Sequence, residues 1–189
     1  MKDFSPTINH KHNKVIRKED LKEYEIIGDG ADGIVYQLTS DRCIKFFFKE
    51  ETQQRELEAL RRGQSSPVMP RLYQYGANFI VMEYIKGFSL ARYLKKHGQL
   101  TKPLVEKILN MLDELKKLGF TRYDAEIRHV LINELGDLKV IDHKRAFTSD
   151  QPVPVKLLKG FKKLGLTDEF LKFVRETRPS VYDEWKKYK

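Results

Sequence analysis

Three groups of residues in this sequence have the types and the order that phosphate chemistry requires. The first is Gly28-Asp29-Gly30-Ala31-Asp32-Gly33-Ile34-Val35, a G-x-G-x-x-G-x-V run. Without a Cβ, glycine lets the backbone approach phosphate oxygens closely and present N–H groups to them. The second is Lys45, at the end of Cys43-Ile44-Lys45, followed by Arg55-Glu56-Leu57-Glu58-Ala59-Leu60. An ammonium on that strand reaches the α and β phosphates when a carboxylate fixes its position. Glu56 and Glu58 lie about 200° apart around a helix, so they cannot both face the lysine. Glu56 is the choice, because Leu57 and Leu60 share the flank that must pack on the sheet. The third group is Asp124 and Asp142, on either side of a hairpin pattern. Phosphoryl transfer needs one carboxylate to take or orient a hydroxyl proton and another to hold a divalent metal. Taken singly, each group has a plainer reading: a glycine-rich hairpin, a strand lysine with a solvated glutamate, and two loop aspartates.

The elements that must position these residues follow from periodicity and turn chemistry. Strands are expected on both sides of the glycines, in Tyr24-Glu25-Ile26-Ile27 and Ile34-Val35-Tyr36-Gln37-Leu38, and again in Cys43-Ile44-Lys45-Phe46-Phe47-Phe48 after the turn Ser40-Asp41-Arg42. In a dinucleotide-binding unit the glycines would open a helix, whereas here a strand follows them. Residues 50–62 read as a helix, acidic at its start, basic at its end and stopped by Gly63. Strands are expected near 71–75 and 79–84, a short helix at 90–96 and a longer one at 101–118. The longer helix carries Leu104, Ile108, Met111, Leu112 and Leu115 as its apolar stripe and ends at Gly119. A hairpin of Val130-Leu131-Ile132 and Leu138-Lys139-Val140-Ile141 turns at 134–137, and two or three short helices follow from Val153. Strands dominate the first half and helices the second.

With these parts in order, the chain resembles the protein kinase superfamily from about residue 24 to residue 147. The glycine loop and Lys45 strand resemble G-x-G-x-x-G-x-V and V-A-I-K. Val81-Met82-Glu83-Tyr84-Ile85-Lys86-Gly87 looks like the hinge that holds adenine through its backbone, with Met82 as gatekeeper and Glu83 and Ile85 beside it. Asp124, in Gly119-Phe120-Thr121-Arg122-Tyr123-Asp124, resembles the catalytic aspartate, and Val140-Ile141-Asp142-His143-Lys144 resembles the strand and metal-binding D-F-G. The resemblance implies an α+β, two-lobed fold, with an antiparallel N-terminal sheet lobe carrying one helix (21–84) and a truncated, mainly helical C-terminal lobe (88–189). Residues 1–20 would be a polar tail or flap. It also implies ATP in the cleft, positioned by Gly28, Gly30, Gly33, Val35, Lys45, Met82, Glu83 and Ile85. A divalent metal would sit on Asp142 and His129, Lys45, Glu56 and Asp124 would act in catalysis, and a protein serine or threonine would accept the phosphate.

Several positions depart from the family pattern. Arg122-Tyr123-Asp124 stands for H-R-D, and His129 occupies the place of a metal-binding asparagine, an imidazole that suits Mn²⁺ or Zn²⁺ better than Mg²⁺. Glu126 replaces the lysine that serine/threonine kinases carry two residues after the aspartate. Asp142-His143-Lys144 alters the apolar plug of D-F-G, and Asp29 and Asp32 bring negative charge to the glycine loop. Nothing after Asp142 resembles A-P-E, and about 45 residues remain. That truncation is similar to the minimal atypical kinases, among them the RIO family, the small kinase of the tRNA threonylcarbamoylation complex and short bacterial kinase-like proteins. Two other readings stand beside an active phosphotransferase. One is a pseudokinase that binds nucleotide or partner without turnover. The other is an RNA-associated basic factor on a kinase scaffold.

Composition bounds these readings. The chain has 189 residues, 40% hydrophobic and 33% charged, which suits a globular domain with a proper core. A net charge of +9 suits an anionic partner, with nucleic acid unsupported by any motif. No apolar run approaches the ~18 residues of a membrane span, and no membrane partner is expected. The N-terminus lacks the apolar region of a secretory signal, and Cys43 is the single cysteine, so the cytoplasm is the expected compartment.

Overall fold

A computed structural model describes residues 14–122, 125–148 and 153–188. The fold is α+β, and the described chain divides into two units, residues 14–65 with 70–85, and 66–69 with 86–188.

The first unit is a five-stranded antiparallel sheet. Its strands are β1 (Ile26–Gly30), β2 (Gly33–Gln37), β3 (Arg42–Phe47), β4 (Leu72–Tyr75) and β5 (Phe79–Glu83), in the order β1-β2-β3-β5-β4. Because side chains alternate along a strand, the register decides which residues share a face. Ile34 lies opposite Phe46, Tyr36 opposite Ile44, and Ile44 opposite Val81, which gathers the apolar residues on one face. That face is closed by Ile16, Leu21 and Tyr24 from the chain ahead of β1. Residues 14–20, expected to belong to the polar tail, are therefore joined to the sheet. Ile16 is buried in its core, and its backbone exchanges two hydrogen bonds with the Asn78 side chain. The polar sequence around Ile16 hid this anchor. On the opposite face α1 (Glu50–Arg62) turns Gln53, Glu56, Ala59 and Leu60 inward. The Gln53 amide donates to the Gly76 carbonyl at 2.7 Å, tying the helix to the β4–β5 turn.

The second unit opens with β6 (Gly87–Ser89) and α2 (Leu90–His97), whose first turn is capped by Ser89 accepting from Arg92 N–H. Then come α3 (Lys102–Lys117), β7 (Val130–Asn133) and β8 (Leu138–Val140), followed by α4 (Val155–Lys163), α5 (Thr167–Thr177) and α6 (Pro179–Trp185). The expected two-stranded hairpin is in fact three-stranded, because β6 pairs with β7. Three residues are too few to show a period, so the sequence gives no sign of β6. The α3 stripe also differs in detail: Val105 and Leu109 are buried and Leu104 is only half-buried. The Ser66–Met69 segment, which leaves the first unit after α1, joins this unit by a Val140 N–H to Val68 carbonyl bond. The C-terminal helices pack through stacked rings, Phe161 on Phe170 at 4.2 Å and Phe170 on Trp185 at 6.3 Å between centroids. No helix among the described residues is long and apolar enough to cross a membrane.

Candidate functional site

In the first unit the strand register builds the site. Gly28 lies opposite Val35, Val35 opposite Lys45, Lys45 opposite Ile80, and Cys43 opposite Met82. Gly28, Val35, Lys45 and Met82 therefore share the face that α1 approaches. From that helix Glu56 reaches in, and its Oε2 accepts from Lys45 Nζ at 2.6 Å. Both residues are buried, Lys45 at 9% and Glu56 at 2% exposure. Glu58 lies on the exposed flank, paired with Arg62 four residues on. The Cys43 thiol is pushed up to about 12, first by burial and then by the Glu83 carboxylate, which leaves it protonated and unreactive at neutral pH.

The three glycines of the β1–β2 hairpin have different structural reasons. At Gly33 an added Cβ would fall onto the Phe46 carbonyl oxygen, so the sheet itself demands glycine there. At Gly28 the nearest atoms would be Val35 carbons at 3.5 Å and at Gly30 the Gly33 carbonyl oxygen at 4.0 Å, both ordinary contacts. The hairpin backbone is anchored by Phe48 N–H donating to the Asp32 carbonyl at 3.0 Å. At the far end of β5, Glu83 N–H donates to the Arg71 carbonyl and the Glu83 carboxylate accepts from Arg71 N–H. Ile85 follows, buried.

In the second unit, β7 and β8 bring His129 and Asp142 together. Ile141 N–H donates to the His129 carbonyl at 2.9 Å, and His129 Nδ1 stands 3.6 Å from Asp142 Oδ2. Asp142 has a φ of 64°, alone among the described non-glycine residues in the left-handed region. Such a conformation is sparsely populated and is found where a functional group must be aimed. The His129 pKa is lowered, chiefly by burial and against the pull of Asp142, so the neutral ring keeps a lone pair for a metal. One carboxylate oxygen and one imidazole nitrogen are two donors suited to a divalent cation, while among the described residues no group of three or more His, Cys, Asp or Glu side chains could hold a metal ion. Asp124, the expected catalytic residue, lies outside the described residues.

Two departures noted in the sequence are explained by their neighbours. His143, in the place of the apolar plug, is buried; its Nε2–H donates to the Val140 carbonyl at 2.7 Å, and its ring meets Phe120 edge-on. The imidazole fills an aromatic slot with its polar atom satisfied. Glu126 accepts from Lys156 Nζ at 2.9 Å and from Arg128 Nε at 2.7 Å. The Lys156 bond, then the charges around it, hold its carboxyl down at about 2. A cavity of about 180 Å³ beside Asp142 is lined by Arg122, Arg128, Lys144, Arg145 and Lys156, against the two carboxylates Glu126 and Asp142. That balance suits an anion. The sequence offered no signal for Lys156, 30 residues beyond its partner, or for Gln53.

No family model matches the chain. It is 30% identical over 142 residues to "Putative serine/threonine-protein kinase YrzF" of Bacillus subtilis (strain 168), covering 72% of this chain and 65% of that protein. To the mitogen-activated protein kinase kinase SIPKK of Nicotiana tabacum it is 28% identical over 159 residues, 73% of this chain and 44% of the relative. To CBL-interacting protein kinase 12 of Oryza sativa subsp. japonica it is 30% identical over 165 residues, 75% and 30% respectively. The chain thus spans less than two thirds of the length of each of these relatives.

Two outcomes are expected of the charges. Glu56→Ala leaves Lys45 buried without its carboxylate and should cost about 3–5 kcal/mol, whereas Lys45→Met with Glu56→Leu should recover most of it. Amide hydrogen exchange in β3 and α1 measures both. Glu126 binds its proton less readily folded than unfolded, so its clamp contributes stability above the unfolded carboxyl range. That contribution fades as pH falls from about 4.5 towards about 2. Lys156→Met should therefore be less stable than the parent at pH 7, with the difference shrinking across that acid window in thermal unfolding.

Proposed function

The chain belongs to the protein kinase superfamily, and from that premise we propose that it is an ATP-dependent phosphotransferase acting on serine or threonine of a protein. The observation that carries the proposal is the buried Lys45–Glu56 pair, on the sheet face that also bears Gly28, Val35 and Met82. Apolar packing would not call for a charged pair there, since taking two charges out of water costs several kcal/mol per ion. A lysine held in one position by a carboxylate is what an α,β-phosphate ligand needs. Gly28 and Gly30, which the sheet does not require as glycines, would let the hairpin backbone approach the phosphates. Met82, Glu83 and Ile85 would hold the adenine.

Asp124 would take or orient the acceptor hydroxyl proton. The hydroxyl oxygen then bonds to the γ-phosphorus as the bond to the bridging oxygen breaks and ADP leaves. Asp142 and His129 would hold the divalent cation, which when bound neutralises charge on the β and γ phosphates. Lys156 and Arg128 offset the Glu126 carboxylate, so the charge reversal two residues after Asp124 is neutralised locally. A pseudokinase is the second reading, favoured by His129 beside Asp142 where the family has an asparagine and by the acidic glycine hairpin.

Thermal unfolding with ATP, Mg²⁺-ATP and Mn²⁺-ATP tests the nucleotide site. At 100 times the dissociation constant the stabilisation is about 2.7 kcal/mol, a rise of roughly 5–10 °C. The Lys45→Met/Glu56→Leu variant should lose it, and no rise in the parent would overturn the reading. Asp124→Asn should abolish transfer to serine peptides while keeping the thermal shift. Turnover retained in that variant would remove Asp124 from its role, and a shift without transfer in the parent would select the pseudokinase.

A further inference from the structure

A second groove, of about 520 Å³, adjoins the cavity at Asp142 and shares Glu126, Arg128 and Lys156 with it. Its cations come from three elements: Lys95 from α2, Arg128 from the 125–129 loop, and Lys156, Lys159 and Lys163 from α4. The three α4 lysines are spaced i, i+3 and i+7 and so project from one side of the helix. Lys95, Lys159 and Lys163 are exposed, and no carboxylate pairs with them among the described residues. Glu126, the one acid in the groove wall among the described residues, accepts from both Lys156 and Arg128.

The groove owes its shape to a close approach. Gly160 seats α4 against the loop, and a Cβ there would come within 2.7 Å of Ile127 Cγ1. Ala91, Ile127, Gly160 and Leu164 give the groove an aliphatic floor beneath its charged rim. An aliphatic floor with a lysine rim matches a peptide carrying acidic side chains, whose methylenes can lie on the floor while the carboxylates meet the ammonium groups. Single-stranded RNA would instead call for aromatic platforms, and none lines the groove among the described residues.

We propose that this groove docks the phosphate acceptor as an acidic peptide segment, with Asp or Glu side chains on Lys95, Lys159 and Lys163. The role as acceptor site rests on the phosphotransferase reading, because Glu126 and Arg128 lie two and four residues after Asp124 in the chain. The peptide preference rests on the groove alone.

The test uses the full chain and fluorescence anisotropy with three labelled probes: a serine peptide flanked by Glu and Asp, the same peptide with Gln and Asn, and a single-stranded RNA. The acidic peptide should bind at least about tenfold more tightly than the neutral one and weaken with salt. Lys159→Glu with Lys163→Glu should remove that advantage, and Lys159→Gln with Lys163→Gln should reduce it, with the ATP-dependent thermal shift unchanged in both. The glutamine variant, which only neutralises two exposed side chains, keeps the test valid if charge reversal harms folding. Equal binding of the two peptides, undiminished binding by both variants, or tighter binding of RNA would each overturn the proposal. Charge-dependent peptide binding without any phosphate transfer would leave the docking groove standing and remove the phosphotransferase reading. Transfer with equal efficiency to acidic and neutral peptides would do the reverse.

Discussion

An ammonium and a carboxylate taken out of water together gain little over two apolar side chains of like volume, yet either one alone would be a severe defect. The Lys45–Glu56 contact therefore acts as a mutual constraint. β3 must present its lysine on the face that α1 covers, and α1 must rotate so that Glu56, not Glu58, turns inward. Once Lys45 is fixed, the two-residue alternation of the strands assigns the neighbours: Val35 and Gly28 on one side, Ile80 and Met82 on the other. The Gln53–Gly76 bond seats the same helix face a turn earlier. The apolar face, sealed by Ile16 and Leu21, leaves the opposite face to carry the polar chemistry.

The second unit solves a different electrostatic problem. Its loop after residue 124 carries a glutamate beside a cavity whose other charged side chains are mostly basic. The compensating cations come from Arg128 within the loop and Lys156 from a helix well beyond it, joined by the close seating of Gly160 on Ile127. Loop and helix are thus one electrostatic unit, although they are separate in the chain. His143 follows the same logic in miniature: a polar ring replaces an apolar one, and the Val140 carbonyl accepts from its Nε2–H.

Much of this arrangement was legible in the sequence, for identifiable reasons. The α1 boundaries, the five strands of the first unit and the β7–β8 hairpin all announce themselves through long periods, acidic starts and glycine stops. The choice of Glu56 over Glu58 needed only the helical angle and the positions of Leu57 and Leu60. What escaped was either too short or too distant. β6 has three residues, Ile16 stands with the exposed Val15 as an isolated apolar pair in a polar stretch, and the Lys156–Glu126 and Gln53–Gly76 contacts join residues that no local pattern connects. Periodicity marks faces, but it does not pair a side chain with a partner in another element.

Trp185 is the chain's single tryptophan, and it is buried in the helical unit at one end of the Phe161–Phe170–Trp185 ring stack. Its emission consequently reports on the loosening of the C-terminal helices. The sheet that carries Lys45 has only tyrosines and phenylalanines for chromophores, and its melting would pass unseen at tryptophan wavelengths. Should the two units unfold at different temperatures, fluorescence and far-ultraviolet dichroism would trace different curves, and the gap between them would measure how cooperatively this chain holds its halves together.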